Sequence, residues 1–195
     1  MRTSVATACL HQWLGACLVA VLASGCATTT FRPAETAAVD QLLGLISQRL
    51  DVAPAVARVK WNTKAPIEDL TREQEVIDGA ARRAVGYGLD SSVARRFFRG
   101  QIEASKTVQN RLHAEWTASK QPPFTDVADL DRDIRPVLDR LTPQLLRALG
   151  DAMPAIQKQG GRHLLDTRVE ALRTGSPAGE APFAEAVAPL RELSK

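Results

Sequence analysis

The stretch TAAVDQLLGLISQRLDVAPAVARVKW, residues 36–61, decides the fold. Val39, Leu42, Leu43, Ile46 and Leu50 recur at intervals of three and four, and Val52, Val56 and Val59 carry the stripe on to Trp61. That spacing lays one apolar face along an amphipathic α-helix. Pro54 lies inside the pattern and offers no N–H to the carbonyl four residues back, so a kink is expected there. Two cations, Arg49 and Lys60, interrupt the stripe. Eleven steps of 100° bring them to within about 20° of each other, about 16 Å apart along the axis. Lysine and arginine are almost never fully buried unless paired, because desolvation costs several kcal/mol. Either these side chains snorkel to solvent at the edge of the stripe, or an anion lies between them.

The helical period continues beyond this stretch, while the period-two alternation of strands is sustained nowhere. The fold class is therefore all-α: a single-domain bundle of about six helices. Thr71 and Gln74 have the capping-box spacing for a second helix, which Gly86 or Gly88 ends. Asp90, Ser91 and Ser92 offer caps for a long third helix to about Ser119. After Pro122-Pro123, Asp126 and Asp129 can cap a fourth helix bearing Leu130, Ile134, Val137, Leu138 and Leu141. Thr142-Pro143 reads as a cap followed by proline, starting a fifth with Leu145, Leu146 and Leu149 on one face. Beyond Gly160-Gly161, residues 163–172 and 182–193 read as packing helices without chemistry, joined by a flexible link from Thr174 to Ala181.

The first 25 residues belong to a different kind of segment. Met1-Arg2 is positive, and the apolar run from Trp13 to Ala23 falls short of the roughly 20 residues a membrane-spanning helix needs, so it reads as an export signal. Leu22-Ala23-Ser24-Gly25-Cys26 resembles a lipoprotein signal with Cys26 as the lipidated first residue; ordinary cleavage near the same point is the alternative. Residues 26–35 then form a tether and 36–195 the domain. All three cysteines, Cys9, Cys17 and Cys26, lie in the leader or at its edge, which leaves the domain no pair for a disulfide. The mature chain is expected outside the cytoplasm, in the periplasm, touching a membrane only through its signal or a lipid.

Charge and composition narrow the ligand. The formal net charge is +3, with Lys and Arg spread rather than clustered, and aromatics are only 5%, so base stacking has little to work with and nucleic acid is disfavoured. No Gly-rich phosphate loop, HExxH, CxxC or GxSxG occurs. His113 and His163 stand alone and read as surface or satisfied histidines. Ser105 and Gln109, four apart on the third helix, cut a polar notch into the stripe of Phe97, Ile102, Val108, Leu112 and Trp116. Arg72 lies in the first turn of the second helix, at the positive end of its dipole, where an adjacent anion would reverse an unfavourable placement. The plainer readings are a helix–helix hydrogen bond for the notch, Arg72 paired with Glu75 or Glu68, and Arg135 paired with Asp131 or Asp139.

The ordered set Gln48-Arg49-Leu50, Val59-Lys60-Trp61, Pro66-Ile67-Glu68-Asp69 with Arg72, and Phe97-Phe98 to Gln101-Ile102 with Ser105 and Gln109 resembles the all-helical chorismate mutases. The leader, the Lys60-Trp61 pair and Arg135-Pro136-Val137-Leu138-Asp139-Arg140-Leu141-Thr142-Pro143 are similar to their secreted, gamma subclass. The similarity spans residues 38 to 145. It implies an isomerase that converts chorismate to prephenate by a pericyclic rearrangement needing no cofactor or metal. It assigns the substrate carboxylates to Arg49, Arg72 and Arg135 with help from Ser105, and the breaking ether oxygen to Lys60 and Gln109. Glu73 would accept from the substrate hydroxyl, and Asp69 would shape the loop. The resemblance also implies a homodimer with each pocket built inside one chain. The disulfide found after this point in some secreted members cannot form here. Pro136 disfavours helix at Arg135, so the helix is expected to start or bend there. The competing reading is a non-catalytic envelope lipoprotein bundle that binds a small anion or a partner protein.

Overall fold

The computed structural model describes residues 30–173 and 179–195. The export signal, Cys26, the first part of the expected tether (residues 26–29) and residues 174–178 of the expected link lie outside the described residues, while Pro33–Glu35 of that tether belong to α1. Seven α-helices run α1 (Pro33–Leu50), α2 (Ala53–Thr63), α3 (Leu70–Ala84), α4 (Ser91–Ala118), α5 (Arg135–Gln157), α6 (Gly161–Arg173) and α7 (Glu180–Leu193), and no strand occurs among the described residues. The expected first helix is two: the chain turns at Asp51–Val52 and restarts with Pro54 in the first turn of α2. Proline is favoured in that position because an N–H there has no intrahelical partner anyway. The expected kink thus becomes a full break, three residues earlier than Pro54 itself.

Helix ends are set by local chemistry. Asp69, not Thr71, caps α3, accepting from Arg72 N–H at 3.1 Å, while Glu73 reaches back to accept from Asp69 N–H at 3.1 Å. A carboxylate at the cap satisfies an orphan N–H and also meets the positive end of the dipole, an advantage a threonine hydroxyl lacks. Gly88, at φ 69°, ends the short 3₁₀ turn Val85–Tyr87 that follows α3, and Asp90 caps α4 by accepting from Ser92 N–H at 2.6 Å.

The expected fourth and fifth helices are one. A π-helical turn, Leu130–Ile134, is capped by Asp129, which accepts from Asp131 and Arg132 N–H groups at 2.9 and 2.7 Å. It runs into α5 at Arg135, the start expected from Pro136. Pro143 does not begin a new helix but sits inside α5. An interior proline costs about 3 kcal/mol. Leu141, Leu145, Leu146 and Leu149 on either side of it are all buried, and full burial of such side chains stabilises by about 1.5–3 kcal/mol each. Continuity of the buried face therefore outweighs the local break.

The core is built where α1 packs against α5, and α4 against α3 and α7. Leu42, Leu43 and Ile46 of α1, Phe97 and Phe98 of α4, Leu145, Leu146 and Leu149 of α5 and Phe183 of α7 fill it. Phe97 and Phe98 meet edge to face at 5.3 Å. α7 approaches α4 closely because position 100 is glycine, where a Cβ would lie 2.6 Å from Pro189 Cγ. Gln101 seals that contact, its buried Nε2 donating to Ala186 O at 2.8 Å. With one face of α4 fixed by α7, the face bearing Ile102, Ser105 and Gln109 is held toward α2 and α3.

Candidate active site

α1 ends its last turn on Arg49, only 9% exposed, and the break at Asp51 swings α2 across so that Lys60 comes to the same space. What holds α2 there is an aromatic clasp. Trp61 meets His113 and Trp116 edge-on, at 5.4 and 5.6 Å, and His113 Nε2 lies 2.9 Å from Ala57 O. Asn62 exchanges two hydrogen bonds with the Phe124 backbone, at 2.8 and 2.9 Å. His113 is thus a satisfied packing histidine, and His163 is exposed. Lys64, at φ 56°, turns the chain out of α2 into the loop leading to α3.

One cavity of about 150 Å³ is lined by Arg49, Lys60, Asp69, Arg72, Glu73, Ser105, Gln109 and Arg135, room for a small molecule rather than a peptide. All eight residues singled out from the sequence converge on it, and the snorkelling alternative for Arg49 fails. Its apolar wall comes from Val52, Val56, Val76, Ile102 and Leu138. The sequence reading passed over Lys106, Asp139 and Thr142, which also line it. A signal for two of these was present: Arg135, Leu138, Asp139 and Thr142 fall at the i, i+3, i+4, i+7 spacing of one helical face.

Counting lining side chains, five cations (Arg49, Lys60, Arg72, Lys106, Arg135) face three carboxylates (Asp69, Glu73, Asp139), an excess of two positive charges. Burial pushes Arg49 down to about 10, with Asp139 opposing, so it remains fully charged at neutral pH, yet its Nε has no hydrogen-bond partner. A buried unpaired donor on a charged group costs several kcal/mol. Lys60 donates to Ile67 O at 2.5 Å. Burial lowers its pKa below the usual lysine value; Asp69 and Glu73 oppose this, and Lys106 and Arg135 add to it.

The remaining cations rest on exposed partners. Arg72 lies 3.2 Å from Glu75 and 3.6 Å from Asp139, and Arg135 pairs with Asp131. Ion pairs of this exposed kind contribute about 0–1 kcal/mol, so an incoming anion can replace them. Lys106 is different. Burial alone would lower its pKa, but hydrogen bonds to Glu103 and Glu73 hold it above the ordinary value. Gln109 is buried with its Nε2 donating to Ser105 O and Oγ, at 3.2 and 3.1 Å, while its Oε1 has no partner. A half-turn of the amide would present its N–H₂ to the cavity and let the Ser105 hydroxyl donate to Oε1.

Such an arrangement can grip a small dianion, orient it against an apolar wall and place donors over one face. It contains no evident nucleophile–base pair.

Residues 34–110 match the family described as chorismate mutase type II. The chain is 35% identical over 112 residues to a monofunctional chorismate mutase of Enterobacter agglomerans, and 30% identical over 113 residues to a secreted chorismate mutase of Yersinia pestis. These alignments take in 57% and 58% of this chain and 61% and 60% of the relatives, so the chain spans about three fifths of their length. The crystal structure of a chorismate mutase from Burkholderia thailandensis superposes with a TM-score of 0.74 at 35% identity, covering 78% of this chain and 98% of that one. Identity at that level across nearly the whole of a solved structure, with the same helical architecture, means that this chain belongs to the chorismate mutase type II family.

Proposed function

We propose that the protein converts chorismate to prephenate outside the cytoplasm, in a cavity built within a single chain. The observation that carries this reading is the excess of two positive charges in a half-open, partly apolar cavity, with a buried Arg49 Nε lacking a partner. Chorismate brings two carboxylates, matching that excess. Its rearrangement is unimolecular and calls for no nucleophile, so catalysis reduces to holding the compact conformer and stabilising charge on the ether oxygen as the C–O bond breaks.

Arg49, Arg72 and Arg135, with Ser105, take the two carboxylates. Arginine suits the task because its planar fork makes bidentate, charge-assisted bonds. Lys60 and the turned Gln109 amide donate to the ether oxygen. Glu73 accepts from the ring hydroxyl, and Asp69, as the cap of α3, fixes the loop whose Ile67 carbonyl accepts from Lys60. Preorganised donors of this kind lower a barrier by about 3 kcal/mol each.

Export is supported by the leader and by relatives named as secreted. The periplasm, a lipid on Cys26 and a homodimer are the finer parts of the proposal. The decisive experiment adds chorismate to the purified protein and follows loss of its ultraviolet absorbance, with Lys60→Ala as control. Turnover by the wild type and its collapse in the variant are expected. No turnover, or equal turnover in both, leaves only an anion-binding or partner-binding bundle.

A further inference from the structure

We infer that Lys106 is a positioning residue that holds Glu73 away from Lys60, leaving the Lys60 ammonium available to the ligand; the inference rests on the chorismate mutase reading of the cavity. The cavity contains two lysines, and both are drawn to the same carboxylate. Glu73 raises the pKa of Lys60 through space, but its hydrogen bond goes to Lys106, Nζ to Oε2 at 3.1 Å. The other oxygen, Oε1, accepts from Asp69 N–H at 3.1 Å. Glu73 is therefore tethered from α4 on one side and from the α3 cap on the other.

The tether is protected. The Lys106 and Glu73 side chains are 14% and 16% exposed, whereas the other carboxylates near Lys106, Glu103 at 2.9 Å and Glu68 at 3.8 Å, are 47% and 64% exposed. The shielded partner holds the lysine more firmly, because solvent screens the outer two. Lys106 also repels Lys60, and the two ammoniums take different partners, Lys60 the Ile67 carbonyl and Lys106 the Glu73 carboxylate. Without Lys106, the carboxylate loses its tether from α4 and is freed to turn toward Lys60, the other lysine of the cavity and one whose charge it already feels, and to engage the donor aimed at the ether oxygen. The lone pair that Glu73 offers to a substrate hydroxyl is turned away in the same movement.

The test is a double-mutant cycle on chorismate turnover. Lys106→Met is expected to lower kcat about tenfold, the size of coupling typical within one hydrogen-bond network, with KM changed much less because the carboxylate-binding arginines are untouched. Lys106→Arg, which keeps the charge and the donor, should recover most of the rate. In a Glu73→Gln background, Lys106→Met should cost nothing further. If Lys106→Met melts below the assay temperature, Lys106→Gln carries the same measurement. A wild-type kcat in the Lys106 variant, or the same loss with and without Glu73, overturns the assignment. An inactive wild type would overturn the chorismate mutase reading itself, a result distinguishable from either.

Discussion

Two arginines meet α1 at points nine residues apart and are treated in opposite ways. Arg168 of α6 grips Asp40 with two hydrogen bonds, at 2.6 and 2.7 Å. Arg49, about 14 Å further along the same helix, is buried with an unpaired Nε. The contrast extends to the surroundings. On the side of α6 and α7, Asp166 is shared by Arg162 and Arg191, and the Arg162 guanidinium also takes the Arg191 carbonyl. Around the cavity, cations outnumber carboxylates and two buried polar atoms, Arg49 Nε and Gln109 Oε1, stand open. One region is satisfied as it stands. The other keeps an excess of positive charge and unpaired buried atoms at a cost to folding, as the proposed anion-binding role requires.

This difference has consequences of opposite sign. The largest expected effect belongs to the packing region: Phe183→Ala, at a side chain 1% exposed, should destabilise by about 3–5 kcal/mol, read as a lower denaturation midpoint, with kcat/KM of the folded fraction unchanged. A matching loss of kcat/KM below the melt would show that the two regions are not separable. Next comes Lys60→Ala, expected to lower kcat/KM about a hundredfold, about 3 kcal/mol in the barrier, with Tm nearly constant. The same residue sets the alkaline limit of the wild type. Only protonated Lys60 brings the positive charge that makes it a strong donor to the ether oxygen, and burial lowers its pKa, so activity should fall at lower pH than an ordinary lysine would dictate.

Gln109→Glu should be of similar size but dependent on pH. An amide donates at any pH, whereas a carboxyl donates only when protonated. The wild type is therefore expected to hold a level kcat/KM through neutral pH, and the variant to work only on the acid side. A wild type with a steep acid optimum of its own would remove Gln109 from its role. The smallest effect sharpens the comparison most. Arg49→Met should raise KM about tenfold or more and yet raise stability by about 1 kcal/mol, since a desolvated charge is replaced by an apolar chain of similar length. Arg168→Ala should do the reverse, lowering Tm and leaving KM alone. A drop in Tm for Arg49→Met would mean that the cavity region, too, is built for stability.

Much of the site was legible because helical geometry is regular. Arg49 and Lys60 share a face by counting alone, and Ser105 and Gln109 are neighbours by the same rule, even with α1 and α2 broken apart between the first pair. Lys106 was missed because it lies 100° around α4 from Ser105, on the flank of the stripe, and only the packing of α3 against α4 turns that flank inward. The join at Pro143 was misread for a related reason. A proline's local cost is visible in sequence, but the burial of Leu141, Leu145 and Leu146 that offsets it depends on α1 lying opposite. Thr71 lost the cap of α3 to Asp69, whose charge gains from the helix dipole in a way that spacing rules ignore.

By itself, the sequence determined which residues form helices, which face of each is apolar, and which cations interrupt those faces, since all three follow from a period of 3.6 residues and the chemistry of single side chains. Only the tertiary structure decided that the interruptions meet in one cavity, that Lys106 rather than Lys60 holds Glu73, and that α7 clamps the far side of α4. Those outcomes depend on where one helix rests against another, and that is settled by the fit of many buried side chains at once.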